Sequence, residues 1–173
     1  KDIQEFVQNC CLTVAKKLYY GVDEANAHNV RAINYILTDG GALSYKGGGP
    51  PTIEIGFDMN YITSFSASHS DAAAADEVYG VLCHEICHGY QREPQGAGAY
   101  DGSSEFYGYI EGMADLARLL TGGFNPVRKP STGGSWTSGY CTTAFFYLWI
   151  NNTISNTFLK DLNKTALTIN PWS

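Results

Sequence analysis

Residues 81–91 read VLCHEICHGYQ and contain the pattern H-E-x-x-H at His84, Glu85 and His88. On an α-helix, residues four apart lie about 40° apart around the axis and about 6 Å along it, so two imidazoles can face one ion. Imidazole nitrogens are common zinc ligands, and a site with three protein ligands leaves a position for a water molecule. Glu85 is then placed to take a proton from that water. A helix with two partly buried histidines is the alternative, which this pattern alone does not exclude.

A third ligand is offered by a second amphipathic segment further along the chain. Residues 107–120 read YGYIEGMADLARLL and place Glu111 and Asp115 four apart, on one helical face. A carboxylate that completes a His-His-Glu set, with a second acid that accepts the free ring N–H of a histidine, is a usual support for catalytic zinc. Solvated charges are the alternative, but this segment is mostly apolar and has a single basic residue. We therefore predict that Zn²⁺ is bound by His84, His88 and Glu111, with Asp115 behind them.

Two later segments complete a set of family motifs. They read GSWTSGYCTTAFFYLWI at residues 134–150 and FLKDLNKTAL at residues 158–167. Together with HEICHGYQ and YIEGMADLARL, they resemble the basic secretory protein family of zinc metallopeptidases from plants, fungi and bacteria, over roughly residues 52–167. The resemblance implies the same zinc ligands and makes Glu85 the general base. The chain departs from the family in being acidic and in having only TINPWS after the last predicted helix, where the family has a longer extension.

The length and composition of the chain indicate a single domain that includes residues 1–173. With 173 residues and 44% hydrophobic content, the chain can bury a sizeable core without a second domain. The net charge of −6 argues against nucleic acid or an anionic membrane as the main partner. No apolar run reaches about 18 residues, so we predict no membrane span, and we expect a monomer with a peptide or protein substrate. The chain begins at Lys1 rather than at methionine, which predicts a processed mature form.

Five cysteines and two glycosylation sequons favour a secreted, extracellular protein. The sequons begin at Asn151 and Asn163, and the cysteines are Cys10, Cys11, Cys83, Cys87 and Cys141. Cys83 and Cys87 are also four residues apart, but they lie about 100° behind the two histidines on the helix and cannot share an ion with them. They are placed to meet a neighbouring helix instead. We predict a disulfide between one of them and Cys10 or Cys11.

Helices are predicted by apolar spacing of three to four residues in several parts of the chain. They are residues 3–19, residues 24–39, a long segment from Asp71 through the zinc motif, a segment that starts at Ser103 or Ser104 and carries Glu111, and residues 138–152. Phe145 and Trp149 are predicted to be buried in the helix over residues 138–152. His28 and His69 lie near helix ends, where a capping or surface role is commoner than a ligand role. Residues 125–136 contain two prolines and two glycines and are predicted to be irregular.

One strand is predicted by the two-residue alternation of Ile53, Ile55 and Phe57. It follows a breaker cluster at residues 47–51, and residues 59–65 are a second strand or its continuation. In many zinc endopeptidases an edge strand pairs with the substrate, and residues 52–65 are the candidate for that strand. An ordinary sheet strand without this role fits the same sequence equally well. These elements predict an α+β, zincin-like fold, in which a small mixed or antiparallel sheet packs on a helical bundle and the zinc helix floors a cleft.

The sequence therefore predicts a secreted zinc-dependent endopeptidase with Glu85 as the general base. Tyr140 is the candidate donor to the oxyanion because it lies in a family motif; Tyr107 is the other candidate, and either can be a packed aromatic. The loop between the two ligand helices, residues 92–106, is predicted to wall the substrate site. Two alternative functions are a secreted binding or effector module that keeps the fold without turnover, and a zinc hydrolase of non-peptide amides.

Overall fold

The computed structural model describes residues 3–123 and 132–172. Its elements, in chain order, are α1 (Ile3–Leu18), α2 (Val22–Ala27), β1 (Ala32–Thr38), β2 (Ser44–Gly49), β3 (Thr52–Asp58), α3 (Met59–Ser68), α4 (Asp71–Tyr90), α5 (Glu105–Leu120), α6 (Tyr140–Thr153) and α7 (Phe158–Thr168). Of the segment predicted to be irregular, residues 125–131 lie outside the described residues, and residues 132–136 have no regular structure. No helix in the described ranges combines the length and the apolar character needed to cross a bilayer.

The fold is α+β and zincin-like, as predicted, with a three-stranded mixed sheet packed on the helices. The strand order is β1-β3-β2, and β3 is parallel to β1 and antiparallel to β2. Ile53, Ile55 and Phe57 of β3 are buried, which confirms the predicted alternation. β3 is the central strand, however, so the hypothesis that residues 52–65 supply the substrate-pairing edge is wrong. The edge strand that packs against α4 is β2.

The helix predicted over residues 24–39 is also wrong, because α2 ends at Ala27 and β1 follows it. Asn29 adopts a left-handed conformation with a φ of 62°, which ends the helix. β1 then pairs with β3 along its whole length. The spacing of Ile33 and Leu37 fits a helix, but these residues also fit a short strand, and pairing with β3 decides between the two.

Residues 59–65 belong to helix α3 and not to the predicted strand. The Asp58 carboxylate caps this helix by accepting hydrogen bonds from the backbone N–H groups of Asn60 at 3.1 Å and Tyr61 at 3.3 Å. A capping aspartate of this kind stabilises a helix start by about 1 kcal/mol. The cap therefore outweighs the strand preference of the aromatic and β-branched residues that follow.

β2 is a strand that local sequence signals did not predict, because half of it consists of the glycines at residues 47–49. Its pairing with β3 is tight at one point, where the Tyr45 ring covers Gly56. A Cβ atom on Gly56 would lie 2.1 Å from Cε1 of Tyr45, so only glycine fits there. Long-range pairing therefore makes a strand from residues that in isolation favour a turn.

The helices that carry the predicted ligands begin where the sequence predicted, α4 at Asp71 and α5 directly after Ser104. Ser70 accepts a hydrogen bond from the N–H of Ala73 at 3.3 Å at the start of α4. Ser104 does the same for Tyr107 at 3.0 Å at the start of α5. Each cap satisfies a backbone donor that has no partner within its helix.

A buried ion pair holds α5 against α4. Arg118 of α5 donates from Nη2 to Oε2 of Glu77 on α4 at 2.7 Å, and from Nε to the Gly123 carbonyl at 2.9 Å. Both charged side chains are almost fully buried. Each charge therefore offsets part of the desolvation of the other, and the pair links the two helices.

Helix α6 presents aromatic residues to solvent, so the predicted burial of Phe145 and Trp149 is wrong. These side chains are 41% and 52% exposed. The buried face of α6 instead contains Ala144 and Tyr147 and packs on α5. Because α6 is apolar around much of its circumference, the spacing of its apolar residues does not reveal which face packs.

None of the five cysteines, all of which the structure describes, forms a disulfide bond. Cys10 and Cys83 are both fully buried, on the pair of packed helices that was predicted to be bridged, α1 and α4. The bridge itself stays a prediction. Asn163 is fully buried, and its amide donates to the Leu18 carbonyl at 3.1 Å, so this sequon is inaccessible to glycosylation in the folded chain.

Candidate metal centre

Three side chains on α4 and α5 converge on one point. His84 and His88 lie one turn apart on α4, and Glu111 approaches them from α5. The two Nε2 atoms are 3.0 Å apart. Oε2 of Glu111 lies 3.2 Å from Nε2 of His84 and 3.6 Å from Nε2 of His88. The structure thus brings together the three residues that the sequence predicted, and this group can hold a metal ion.

The spacing of these atoms fits a tetrahedral zinc site. Ligand atoms about 2.0–2.1 Å from a tetrahedral ion lie about 3.3–3.4 Å from one another, and the observed separations fall on either side of that value. Two buried polar atoms of the group, Nδ1 of His88 and Oε2 of Glu111, have no hydrogen-bond partner among the described residues. Oε2 faces both histidines, and a bound cation would satisfy it.

Asp115 supports the first histidine from behind, as predicted. Its Oδ1 atom lies 2.7 Å from Nδ1 of His84, so the ring donates at Nδ1 and presents Nε2 to the other ligands. Burial lowers the pKa of His84, but the hydrogen bond to Asp115 and the nearby Glu111 carboxylate outweigh burial and raise the pKa to about 10. The two carboxylates therefore favour a positive charge at this point, carried either by a proton or by a cation.

Glu111 is held in place by a tyrosine that sequence reasoning missed. The Tyr100 hydroxyl donates to Oε1 of Glu111 and leaves Oε2 directed at the histidines. Burial raises the pKa of Glu111, but the close approach of His84 and His88 outweighs burial and holds the pKa well below its usual value. Tyr100 lies in the irregular loop between α4 and α5, where no periodic pattern distinguishes it from the other tyrosines.

Glu85 lies beside the convergent group with its carboxylate available. The residue is only 7% exposed, and it lines two cavities that His84 also lines. Among the residues the structure describes, none forms a hydrogen bond or an ion pair with this carboxylate. The Glu85 side chain can therefore exchange a proton with a molecule in the cavity.

Two cavities meet at the convergent group and together form a cleft. The main cavity has a volume of about 490 Å³ and is walled by β2, by the convergent group and by Glu93 and Tyr100 of the loop between α4 and α5. The side cavity has a volume of about 260 Å³ and lies against Val81 and Arg118. The residues that line both cavities are Ser44, His84, Glu85 and Tyr140. The loop predicted to wall the substrate site does line the cleft.

Tyr140, the predicted oxyanion donor, lies over the first histidine at the start of α6. Its ring stacks on that of His84, with centroids 5.7 Å apart and an angle of 8° between the planes. The preceding Gly139 has a φ of 74°, and a Cβ on it would lie 2.5 Å from Cε1 of Tyr107. Burial and the Glu111 charge raise the pKa of Tyr140, so its hydroxyl remains a donor at neutral pH. Tyr107 contacts the Tyr140 ring edge-on.

The sequence match to known families agrees with this geometry. A family model described as peptidase of plants and bacteria, BSP, matches residues 1–172. The chain belongs to the BSP family. This match confirms the resemblance found in the motifs and extends it beyond residues 52–167. Neither the curated proteins nor the solved structures gave a match.

The other polar candidates in this BSP peptidase lie outside the metal centre. His28 caps the C-terminal end of α2, and its Nε2 atom lies 3.0 Å from the Gly89 carbonyl. His69 follows α3 as its C-terminal cap. Gln91, the last residue of the stretch that contains the H-E-x-x-H pattern, is buried and accepts a hydrogen bond from the thiol of Cys87. The capping roles expected for the two histidines agree with the structure.

Proposed function

We propose that this BSP peptidase is a zinc-dependent endopeptidase in which Glu85 is the general base. The observation that carries the proposal is the convergence of two imidazole nitrogens and one carboxylate oxygen beside an unpaired, nearly buried glutamate. Zinc is the preferred ion, because a site with three nitrogen and oxygen ligands and an open cleft is typical of catalytic zinc.

The mechanism assigns a separate task to each side chain. When bound, zinc supplies Lewis acidity and lowers the pKa of water at the site. Glu85 removes a proton from the attacking water and later passes it to the leaving amine. The Tyr140 hydroxyl donates to the oxygen that gains negative charge in the transition state. Asp115 keeps the His84 ring oriented, and Tyr100 does the same for Glu111.

The cleft supports endopeptidase activity rather than removal of terminal residues. The main cavity and the side cavity share His84 and Glu85 as lining residues, and we propose that substrate residues on both sides of the reacting bond lie along this joint cleft. Ser44, Tyr45 and Lys46 of β2 line the main cavity. Because β2 is an edge strand, we propose that it pairs with an extended substrate in place of β3.

Secretion is a further part of this proposal and is supported by the cysteine content and by the family resemblance. The buried Asn163 contributes no support, since its amide is engaged inside the fold. Fractionation of the native source tests secretion directly. The protein is expected in the extracellular fraction and not in the cell lysate.

Digestion of an unbiased peptide library tests the activity. The zinc-loaded protein should generate new peptide termini at internal bonds, and a chelator should abolish them. The Glu85→Gln variant is the matched control, because it keeps the metal ligands and lacks the base. Cleavage that persists in the chelator would show a contaminating protease, and undiminished cleavage by Glu85→Gln would refute Glu85 as the base. The absence of new termini from the loaded protein would refute the proposal as a whole.

A further inference from the structure

β2 runs alongside the metal-binding part of α4 in the same direction. At one end, Leu43, which precedes β2, and Val81 of α4 line the side cavity together. At the other end, Gly89 of α4 packs on Ile53, and Ile53 is paired with Gly48 of β2. Residues between these two ends of β2 therefore lie level with the turn of α4 that carries Glu85 and His88.

Lys46 lies in this middle part of β2 and faces the cleft. It is paired with Ile55 of β3, which is fully buried in the core with Ile86 of α4, so Lys46 is on the sheet face that is turned towards α4. Lys46 is partly buried and lines the main cavity together with His88. Part of the Lys46 side chain therefore borders the space that a substrate would occupy.

The charge of Lys46 has no protein partner among the described residues. No carboxylate there lies within ion-pair distance of its ammonium group, whereas Arg118 is paired with Glu77 and Arg92 lies over the Tyr19 ring. Glu93 also lines the main cavity, but it is exposed and separated from Lys46 by more than ion-pair distance. Solvent screens the exposed carboxylate more strongly than the partly buried ammonium group. Lys46 is thus the cleft cation that is most able to bind an anion.

We propose that Lys46 is a specificity-determining residue that binds an acidic side chain, aspartate or glutamate, of the substrate in the main cavity. The proposal rests on the endopeptidase function above and names its substrate class. A carboxylate placed in the main cavity would form a charge-assisted hydrogen bond with an ammonium group that the fold leaves unpaired. A basic substrate residue at the same position would meet repulsion from Lys46 and from the bound metal.

Matched peptides test this proposal. Three peptides carry glutamate, glutamine or lysine at the substrate position that the library digestion identifies and are otherwise identical. Each peptide is cleaved by wild type, Lys46→Gln and Lys46→Glu. Wild type should cleave the glutamate peptide about tenfold faster in kcat/KM than the glutamine peptide, mostly through KM. Lys46→Gln should abolish this ratio, and Lys46→Glu should prefer lysine. Lys16→Gln, on the exposed side of α1, is the control and should retain the wild-type ratio.

The possible outcomes separate this inference from the proposed function. If the zinc-loaded wild type cleaves no peptide, the endopeptidase proposal fails and the role of Lys46 fails with it. If wild type cleaves peptides without a preference for acidic residues, or if Lys46→Gln keeps that preference, only the role of Lys46 is refuted. A zinc content equal to that of wild type shows that each variant is folded around its metal site.

Discussion

Glu85 is the residue whose removal should separate metal binding from turnover. Glu85→Gln leaves His84, His88 and Glu111 in place, so the protein should still bind one equivalent of zinc. Peptide hydrolysis should fall by about 10²–10⁴-fold, because the amide cannot accept the proton of the attacking water. Metal analysis and kcat on one peptide substrate measure the two effects. A variant that hydrolyses the peptide at close to the wild-type rate would remove Glu85 from the mechanism.

Asp115 should affect the strength of metal binding without being a ligand. Asp115→Asn keeps a hydrogen-bond acceptor but removes the charge that favours a cation next to His84. Zinc affinity should fall by about 10–100-fold, as measured by competition with a chromophoric chelator. Asp76→Asn is the matched control, because Asp76 is exposed on α4, the helix that carries His84, and should have no effect. Equal affinities for both variants would refute the supporting role.

At the level of the elements, the buried pair of Glu77 and Arg118 should hold the two ligand helices in register. Arg118→Met removes the ion pair to the buried Glu77 carboxylate, and we expect a loss of about 3–5 kcal/mol in the free energy of unfolding. Zinc affinity should also fall, since α5 carries Glu111. Denaturant unfolding of the metal-free protein measures the first effect. The double variant Glu77→Leu with Arg118→Met should recover much of the stability, and a double variant as unstable as the single one would contradict this explanation.

The elements also show which parts of the structure can be read from the sequence. The spacing of His84, His88, Glu111 and Asp115 is local to two capped helices, so it predicted which residues meet. Residues 24–39 and 59–65 were assigned wrongly because a short apolar segment fits both the helical period and the strand period. Strand pairing or a helix cap decides which structure forms. Tyr100 and the strand β2 depend on long-range contacts, which a local pattern does not contain.

At the level of the whole molecule, metal binding should be coupled to proton release. Without metal, the pKa of His84 is raised to about 10. Protonation of His84 therefore stabilises the metal-free fold fully below about pH 6.5, and this stabilisation is lost as the pH rises through about 10. Zinc requires the neutral ring, so zinc affinity should increase with pH over this range. Calorimetry in buffers of different ionisation enthalpy measures the protons released. Binding with no proton released at neutral pH would contradict the raised pKa.

Metal removal should lower the thermal stability of the whole protein. A ligand that binds only the folded state stabilises it by about 2.7 kcal/mol at a free concentration one hundred times its dissociation constant. Chelation should therefore reduce the melting temperature of the wild type. Glu111→Ala, which lacks one predicted ligand, should show a smaller shift or none. A full equivalent of zinc retained by that variant would refute the ligand assignment.

The three metal-facing atoms come from only two helices, and this has a kinetic consequence. Zinc can leave only when Glu111 on α5 moves away from the histidines on α4, or when one of these ligands turns aside. If separation of the helices is the faster route, the rate of zinc release in excess chelator reports how often they part in the native state. The zinc dissociation rate then measures a local opening that leaves the rest of the fold intact. Substitutions at the α4–α5 contact should change this rate.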